Sequence, residues 1–225
     1  MISTIGWNAR SINFQGSLER LQNLKKMHNL SVIDILEPFA DNSQINKYKL
    51  LLSMDNALCN NNGKIWLFWT NDMECDILEI HDQHITCWSK HVEHNEKFIF
   101  SLIYAKCKEH LRRPLWERLY HISNVDSPWC TIGDFNVITS TDEKHGGIPY
   151  NMNKSLEFID IIEACGIMDI GYSGQHYTWC NQRSRVWKRL DRAMVNDKWL
   201  ECMPQTTISN LPAVGSDHCP LLMEM

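Results

Sequence analysis

Nine cysteines are scattered through the 225-residue chain, yet no two form a Cys-x-x-Cys pair. That spacing is what zinc ribbons and fingers need, so those classes are set aside. The cysteine count is odd and several lie inside apolar runs, as expected of reduced, buried thiols in a reducing compartment. No stretch approaches the ~18 consecutive apolar residues of a membrane helix, so no membrane partner is expected. The opening residues, Met1-Ile2-Ser3-Thr4-Ile5-Gly6, lack the basic and apolar regions of a secretion signal, and an intracellular location is expected. There is no strong Lys/Arg run of the nuclear-import type. Positive charge is also missing overall: the formal net charge is −5, unlike that of a typical nucleic-acid binder. A metal-dependent nuclease survives this test, because its own carboxylates lower the count while the metal supplies the positive charge. Repeats, low-complexity segments and linkers are absent, and 44% hydrophobic residues are enough for a sizeable core. A single domain over residues 1–225 is the economical expectation.

What is present alternates between strand and helix patterns. Buried-type strands are expected at 2–8, 31–37, 64–69, 98–104, 129–134 and 220–225, with further strands across 74–88. Helices are expected from Leu18, Leu21 and Leu24, over 44–54, after Pro114 through Leu115, Leu119 and Ile122, and over 197–203. Another is expected over 154–165, with Leu156, Ile159 and Ile162 as its apolar side and Gly166 as its C-cap. Residues 176–181 and 186–195 read as paired strands around an Arg/Ser-rich turn. This alternation predicts a layered α/β fold.

Polar residues recur where strands end: Asn8, Glu37, Tyr104, Asp134, Asn136, Asp191, Asp217 and His218. In layered α/β folds, function concentrates on the loops at one sheet edge. Asp134 and Asn136 lie two apart after a buried run, so an extended chain points both to the same side. A charged acceptor beside a carboxamide suits a hard cation or a phosphate-bound water, although Asp and Asn also favour ordinary turns.

Trp7-Asn8, Glu37, Tyr104-Ala105, Gly133-Asp134-Phe135-Asn136, Arg189-Leu190-Asp191 and Ser216-Asp217-His218-Cys219-Pro220 occur in that order. This set resembles the motifs of the endonuclease/exonuclease/phosphatase superfamily, which includes DNase I and the apurinic/apyrimidinic endonucleases. Tyr177-Thr178-Trp179 and Arg189-Leu190-Asp191-Arg192 look most like the endonuclease domain of plant LINE-type non-LTR retrotransposons. The resemblance spans nearly the whole chain. It implies a four-layer α/β sandwich, with two mixed β-sheets face to face and helices outside. It also implies a Mg²⁺-dependent (Mn²⁺ possible) phosphodiesterase that nicks DNA by in-line attack of water, working in the nucleus without an obligate protein partner.

The resemblance further implies a division of labour. Glu37 would hold the metal with help from Asn8 and Asp217, although Leu36-Glu37-Pro38 stands where relatives carry Gln-Glu-Thr. Asp134 and Asn136 would handle water and phosphate. His218 would be the catalytic histidine, acting as base or as cation, with Asp191 as its carboxylate partner and Asp217 as a second orienting or metal-side acid. Tyr104 would donate to the phosphate. Two basic clusters flank these residues: Lys106, Lys108, Arg112 and Arg113, and then Arg183, Arg185, Lys188 and Arg189. They read as phosphate contacts or as solvated loops. Arg112, Arg113, Arg185 and Trp187 are the candidates for substrate contact, whereas Trp179 reads as core. His81, His84, His91 and His94 read as a hairpin with surface histidines, since no carboxylate or cysteine spacing supports a metal site there. The alternatives are a phosphatase of the same fold acting on small or lipid phosphate esters, and a nucleic-acid-binding descendant without catalysis.

Overall fold

The computed structural model describes residues 2–225. In chain order the elements are β1 (Ser3–Asn8), α1 (Gln15–His28), β2 (Val32–Leu36), α2 (Ile45–Leu51), β3 (Asn56–Cys59), β4 (Ile65–Trp69), β5 (Met73–Ile80), β6 (His84–His91), β7 (Lys97–Tyr104), α3 (Arg113–Ser123) and β8 (Trp129–Asp134). They continue with β9 (Lys144–His145), α4 (Leu156–Ala164), β10 (Ile167–Asp169), β11 (Ser173–Gly174), β12 (Trp179–Asn181), β13 (Val186–Lys188), β14 (Asp191–Asn196), α5 (Asp197–Cys202), β15 (Thr207–Asn210) and β16 (Leu221–Glu224).

Two mixed sheets form the frame. One runs β11-β15-β16-β1-β2-β4-β3, and the other runs β10-β14-β8-β7-β6-β5. Alternation along the strands explains the layering. Val32, Leu36, Ile65 and Leu67 of the first sheet meet Ile85, Phe100, Ile132 and Val195 of the second in a central core. The opposite face of the first sheet, through Ile5, Ile33 and Phe68, packs on Leu21 and Leu24 of α1 and on Tyr48 of α2. The outer face of the second, through Ile99, Ile103 and Trp129, packs on α3 and α4. The result is the expected four-layer α/β sandwich.

Several local expectations are corrected. Residues 186–195 do not form one strand. They break at Arg189-Leu190 into β13, which joins a separate three-stranded sheet β12-β13-β9, and β14, which pairs with β8. The apolar side of α4 is not Leu156, Ile159 and Ile162: Leu156 is exposed, and Phe158 is the buried residue, with Ile161 and Ile162 packed beside it. Phe158 stacks on Trp116 of α3 with ring centroids 5.1 Å apart, and it also reaches Phe135 at 5.2 Å. Its larger ring wins over the 3-spaced aliphatic stripe. Gly166 does follow the helix in a left-handed conformation, φ 60°, as a C-cap glycine should. Among the histidines, His84 and His91 are buried rather than on the surface. His84 Nδ1 lies 3.1 Å from Thr86 Oγ1, which in turn contacts Ser101.

Candidate active site

Register alignment builds the site. β7 and β8 run parallel with Tyr104 opposite Asp134, and β14 runs antiparallel to β8 with Asp191 opposite Asp134. Tyr104, Asp134 and Asp191 therefore form one row across three strands. Gly133 makes this register possible. Its φ is 140°, and a Cβ there would sit 2.1 Å from the Ile103 carbonyl oxygen of the neighbouring strand. In the facing sheet, β1 and β2 run parallel and end side by side at Asn8 and Leu36, leaving Glu37 just beyond. The segment before β16 enters from the same end and brings Asp217 and His218. It is pinned by Ser216 Oγ, which donates to the Asn8 carbonyl at 2.7 Å, and by Trp7 Nε1, which donates to the His218 carbonyl at 3.0 Å.

A buried polar relay crosses the gap between the sheets. His218 Nδ1 is 2.9 Å from Asp191 Oδ2, and its Nε2 faces Asp134 Oδ2 at 3.9 Å, too far for a direct hydrogen bond. Asn8 Nδ2 donates to the same Asp134 oxygen at 3.0 Å, and the Asn136 amide donates to Asp134 Oδ1 at 2.9 Å. Asn8, Asp134, Asp191 and His218 are each no more than 2% exposed. Groups this dry interact strongly, and their proton affinities shift accordingly. Burial and the Asp191 charge push the Asp134 carboxyl up to about 7, against the pull of His218. Burial pushes the His218 ring down, but Asp191 and Asp134 outweigh it and hold the imidazole at about 9.

A second, wetter cluster lies alongside. Tyr104 OH donates to Glu37 Oε1. Burial and that carboxylate raise the phenol well above its ordinary range, so it stays a proton donor. Arg10 Nε sits 3.4 Å from the other Glu37 oxygen, and its Nη1 sits 3.5 Å from Asp217 Oδ2. Asp217 Oδ2 also accepts from Trp179 Nε1 at 3.0 Å. Glu37 adopts φ 48° and Asn136 φ 53°, left-handed backbone that non-glycine residues seldom take and that concentrates at functional sites.

The donor set fits a hard divalent cation. Asn8 Oδ1 is buried without a hydrogen-bond partner, and two carboxylates, Glu37 and Asp217, stand at the same strand ends. A second group of ligand type, Asp134, Asp191 and His218, has one donor atom from each residue within 4.8 Å of the others. In that group the Nδ1 of His218 already faces Asp191.

Eight sequence-derived residues, Asn8, Glu37, Tyr104, Asp134, Asn136, Asp191, Asp217 and His218, thus converge on one edge. The four substrate-contact candidates are placed around it in different ways. Arg112 is buried, and its guanidinium donates to the carbonyls of Asn136 at 2.9 Å and Lys154 at 3.3 Å. Arg113 is paired with Glu157 at 2.6 Å on the surface of α3. Arg185 is exposed in the β12–β13 turn, and Trp187 is half-buried against His145, 5.5 Å between rings. Arg189, expected in a basic patch, is buried and paired with Glu143 at 2.9 Å and Asp169 at 2.6 Å. Arg192 joins the same carboxylates, making contact with Glu143 Oε2 at 2.9 Å. Asn136 does not share the face of Asp134: its side chain turns back to donate to the Ala105 carbonyl at 2.8 Å.

Sequence reasoning missed Arg10, the Trp179–Asp217 bond and Thr178. The Thr178 hydroxyl oxygen accepts from both the Leu190 and Asp191 amides at 2.9 Å and so fixes the start of β14. The Tyr177-Thr178-Trp179 text carried that signal, but without a partner to attach it to.

No family model and no curated protein matches the sequence. Solved structures do match. The 3′ phosphatase NExo from Neisseria, bound to product DNA hairpin, superposes with TM-score 0.75 at 14% identity over 100% of this chain and 99% of that one. The endonuclease domain of TRAS1, a telomere-specific non-LTR retrotransposon, gives 0.74 at 10% identity over 100% and 98%. An AP endonuclease from Archaeoglobus fulgidus gives 0.72 at 17% identity over 100% and 99%. The chain has the DNase I-like fold of these phosphoester-hydrolysing enzymes.

Proposed function

We propose that the chain is a divalent-cation-dependent phosphodiesterase that nicks DNA by in-line attack of water, with the nucleus as its compartment. The observation that carries this reading is the buried relay in which Asp191 holds His218 while Asn8 and Asn136 hold Asp134. Attack on a phosphodiester needs a proton acceptor for water and positive charge for the phosphoryl oxygens. Asp134, held near 7, is matched to take the proton. His218, held at about 9, is a cation at neutral pH, and its Nε2–H faces the gap beside Asp134. Water oxygen bonds to phosphorus, the bond to the leaving sugar oxygen breaks, the water proton passes to Asp134, and the departing sugar oxygen takes up a proton from solvent to become a hydroxyl. Tyr104 is a further donor toward the phosphate. Asn136 serves through its backbone amide, which positions Asp134, rather than through its side chain. Glu37, Asn8 and Asp217 would hold a Mg²⁺ or Mn²⁺ ion, whose charge neutralises the phosphate.

Purified protein with Mg²⁺ is expected to convert supercoiled plasmid to open circles and to stop when EDTA is added. Asp134→Ala and His218→Ala are each expected to slow nicking by about 100-fold or more. Nicking at the wild-type rate by either variant overturns the assignment. A wild-type protein that spares plasmid but hydrolyses phosphomonoesters would move it to the phosphatases of this fold.

A further inference from the structure

Beside the relay lies a concave cavity of about 390 Å³ that the reaction centre does not use. One wall is Asn136, whose amide holds Asp134. The others carry Lys108, Lys154, Lys188 and Tyr150, and Glu109 is the one carboxylate among the lining residues. Three separate parts of the chain supply these lysines: the loop after β7, the turn before α4, and β13. Among the described residues, none of the three ammonium groups is paired with a carboxylate.

Lys188 is the telling member. It is half-buried, with its Nζ 5.5 Å from the Trp179 ring and 5.8 Å from the Tyr150 ring. Burial, then Lys144 and Lys154, lower its proton affinity. Lys144 is engaged with the carbonyls of Gly146 and Ile148. A half-buried ammonium crowded by like charges and lacking an anion is costly unless a ligand supplies the anion. The aromatic flanks orient Lys188, and through the Trp179–Asp217 bond they tie it to the reaction centre. The Arg112 guanidinium also lines the cavity and adds fixed positive charge; its Nη groups donate to carbonyls, and its buried Nε–H has no partner.

We propose that this cavity is a second phosphate site, in which Lys108, Lys154, Lys188 and Tyr150 take a backbone phosphodiester of the same nucleic-acid strand whose scissile phosphate lies at Asp134 and His218. It rests on the phosphodiesterase reading of that centre. It also relocates the basic contacts of an acidic protein, away from Arg112 and Arg189 and onto lysines that no carboxylate neutralises.

The test is a Lys154→Gln/Lys188→Gln double variant, with Lys26→Gln/Lys47→Gln on α1 and α2 as the charge-matched control and melting curves to show that both fold. Binding of a fluorescent oligonucleotide, read by anisotropy in EDTA across a salt series, is expected to weaken about tenfold. The slope of log K against log salt is expected to flatten by about 1 for each phosphate that the variant no longer neutralises. Hydrolysis of bis(p-nitrophenyl) phosphate, whose single phosphate does not reach the cavity, is expected to match wild type. The proposal is overturned if oligonucleotide affinity and slope stay within twofold of the control, or if hydrolysis of the small diester falls as far as DNA nicking. It is equally overturned if sub-millimolar inorganic phosphate displaces the oligonucleotide from wild type but not from the variant, which would make the cavity a free-phosphate site. If wild type hydrolyses neither substrate, the phosphodiesterase reading fails on its own, and the anisotropy arm still decides the cavity.

Discussion

Replacing Glu143 with glutamine should unfold more of this protein than replacing almost any residue at its surface. Glu143 is 4% exposed and lies between two buried guanidiniums, at 2.9 Å from Arg189 and 2.9 Å from Arg192. Its Oε2 also accepts from the Thr139 amide at 2.6 Å. Burial pushes the carboxyl up, but Arg192, the Thr139 amide and Arg189 outweigh it and hold it at about 2. Against an ordinary value of 4.5, that drop is worth roughly 3 kcal/mol at ~1.36 kcal/mol per pH unit. Removing one partner of a buried ion pair costs about 3–5 kcal/mol by a separate route, so the two magnitudes agree. The sign follows from the direction. A folded-state pKa below the unfolded one gives stability that is present above about 4.5 and is lost as pH falls toward 2. Urea unfolding of Glu143→Gln at pH 7 is expected to show a loss of about 3 kcal/mol. From pH 5 down to pH 3, the variant should lose less stability than wild type. A loss below about 1 kcal/mol at pH 7, or an unchanged acid limb, would refute the reasoning. Nicking should fall with stability restored by low temperature, because Arg189 and Arg192 bracket Asp191 in β14.

The pH dependence of nicking should be bell-shaped. It should rise as Asp134 ionises near 7 and fall as His218 loses its proton near 9, and Asp191→Asn should bring the falling limb down. The raised His218 value also means that its contribution to stability is full below about 6.5 and is lost as pH climbs through about 9, which melting curves at pH 6 and pH 10 will show. Arg10→Ala is expected to tighten Mn²⁺ binding by calorimetry, because the guanidinium no longer competes for Glu37 and Asp217; weaker binding would contradict that. Arg112→Ala should cost about 3 kcal/mol or more in urea, since it strands the Asn136 and Lys154 carbonyls that the charged group satisfies. A change under 1 kcal/mol would show those bonds to be dispensable.

The strand ends were legible because each site residue borders a buried run, Asn8, Glu37, Tyr104 and Asp134 just after one and Asp191 and His218 just before one, a pattern that needs no knowledge of what lies across the gap. That logic located Asn8, Glu37, Tyr104, Asp134, Asp191 and His218 together. It failed for basic residues. Arg112 and Arg189 look like solvent-facing charges in the chain, but their partners lie at positions 136, 154, 143 and 169, and nothing local announces a guanidinium that will be buried. The strands β3, β10, β11 and β15 are short, two to four residues each, and fall below what alternation can register. Asn136 was misplaced because i and i+2 share a face only while the chain stays extended, and it leaves that conformation at φ 53°.

The position of β16 has a bearing on synthesis. This strand, the last along the described chain, is inserted between β15 and β1 in the middle of the first sheet, and the residues just before it deliver Asp217 and His218. A polypeptide emerges from the ribosome at about 5–20 residues per second, N-terminal part first. Until residues 216–224 have emerged, β1 and β15 have no common neighbour and Asp191 has no imidazole to hold. A nascent or prematurely terminated chain therefore carries Asn8, Glu37, Tyr104, Asp134 and Asp191 yet lacks Asp217 and His218, and it exposes two open strand edges. Such a product is aggregation-prone, and Asp191 and Asp134 in it have no imidazole between them.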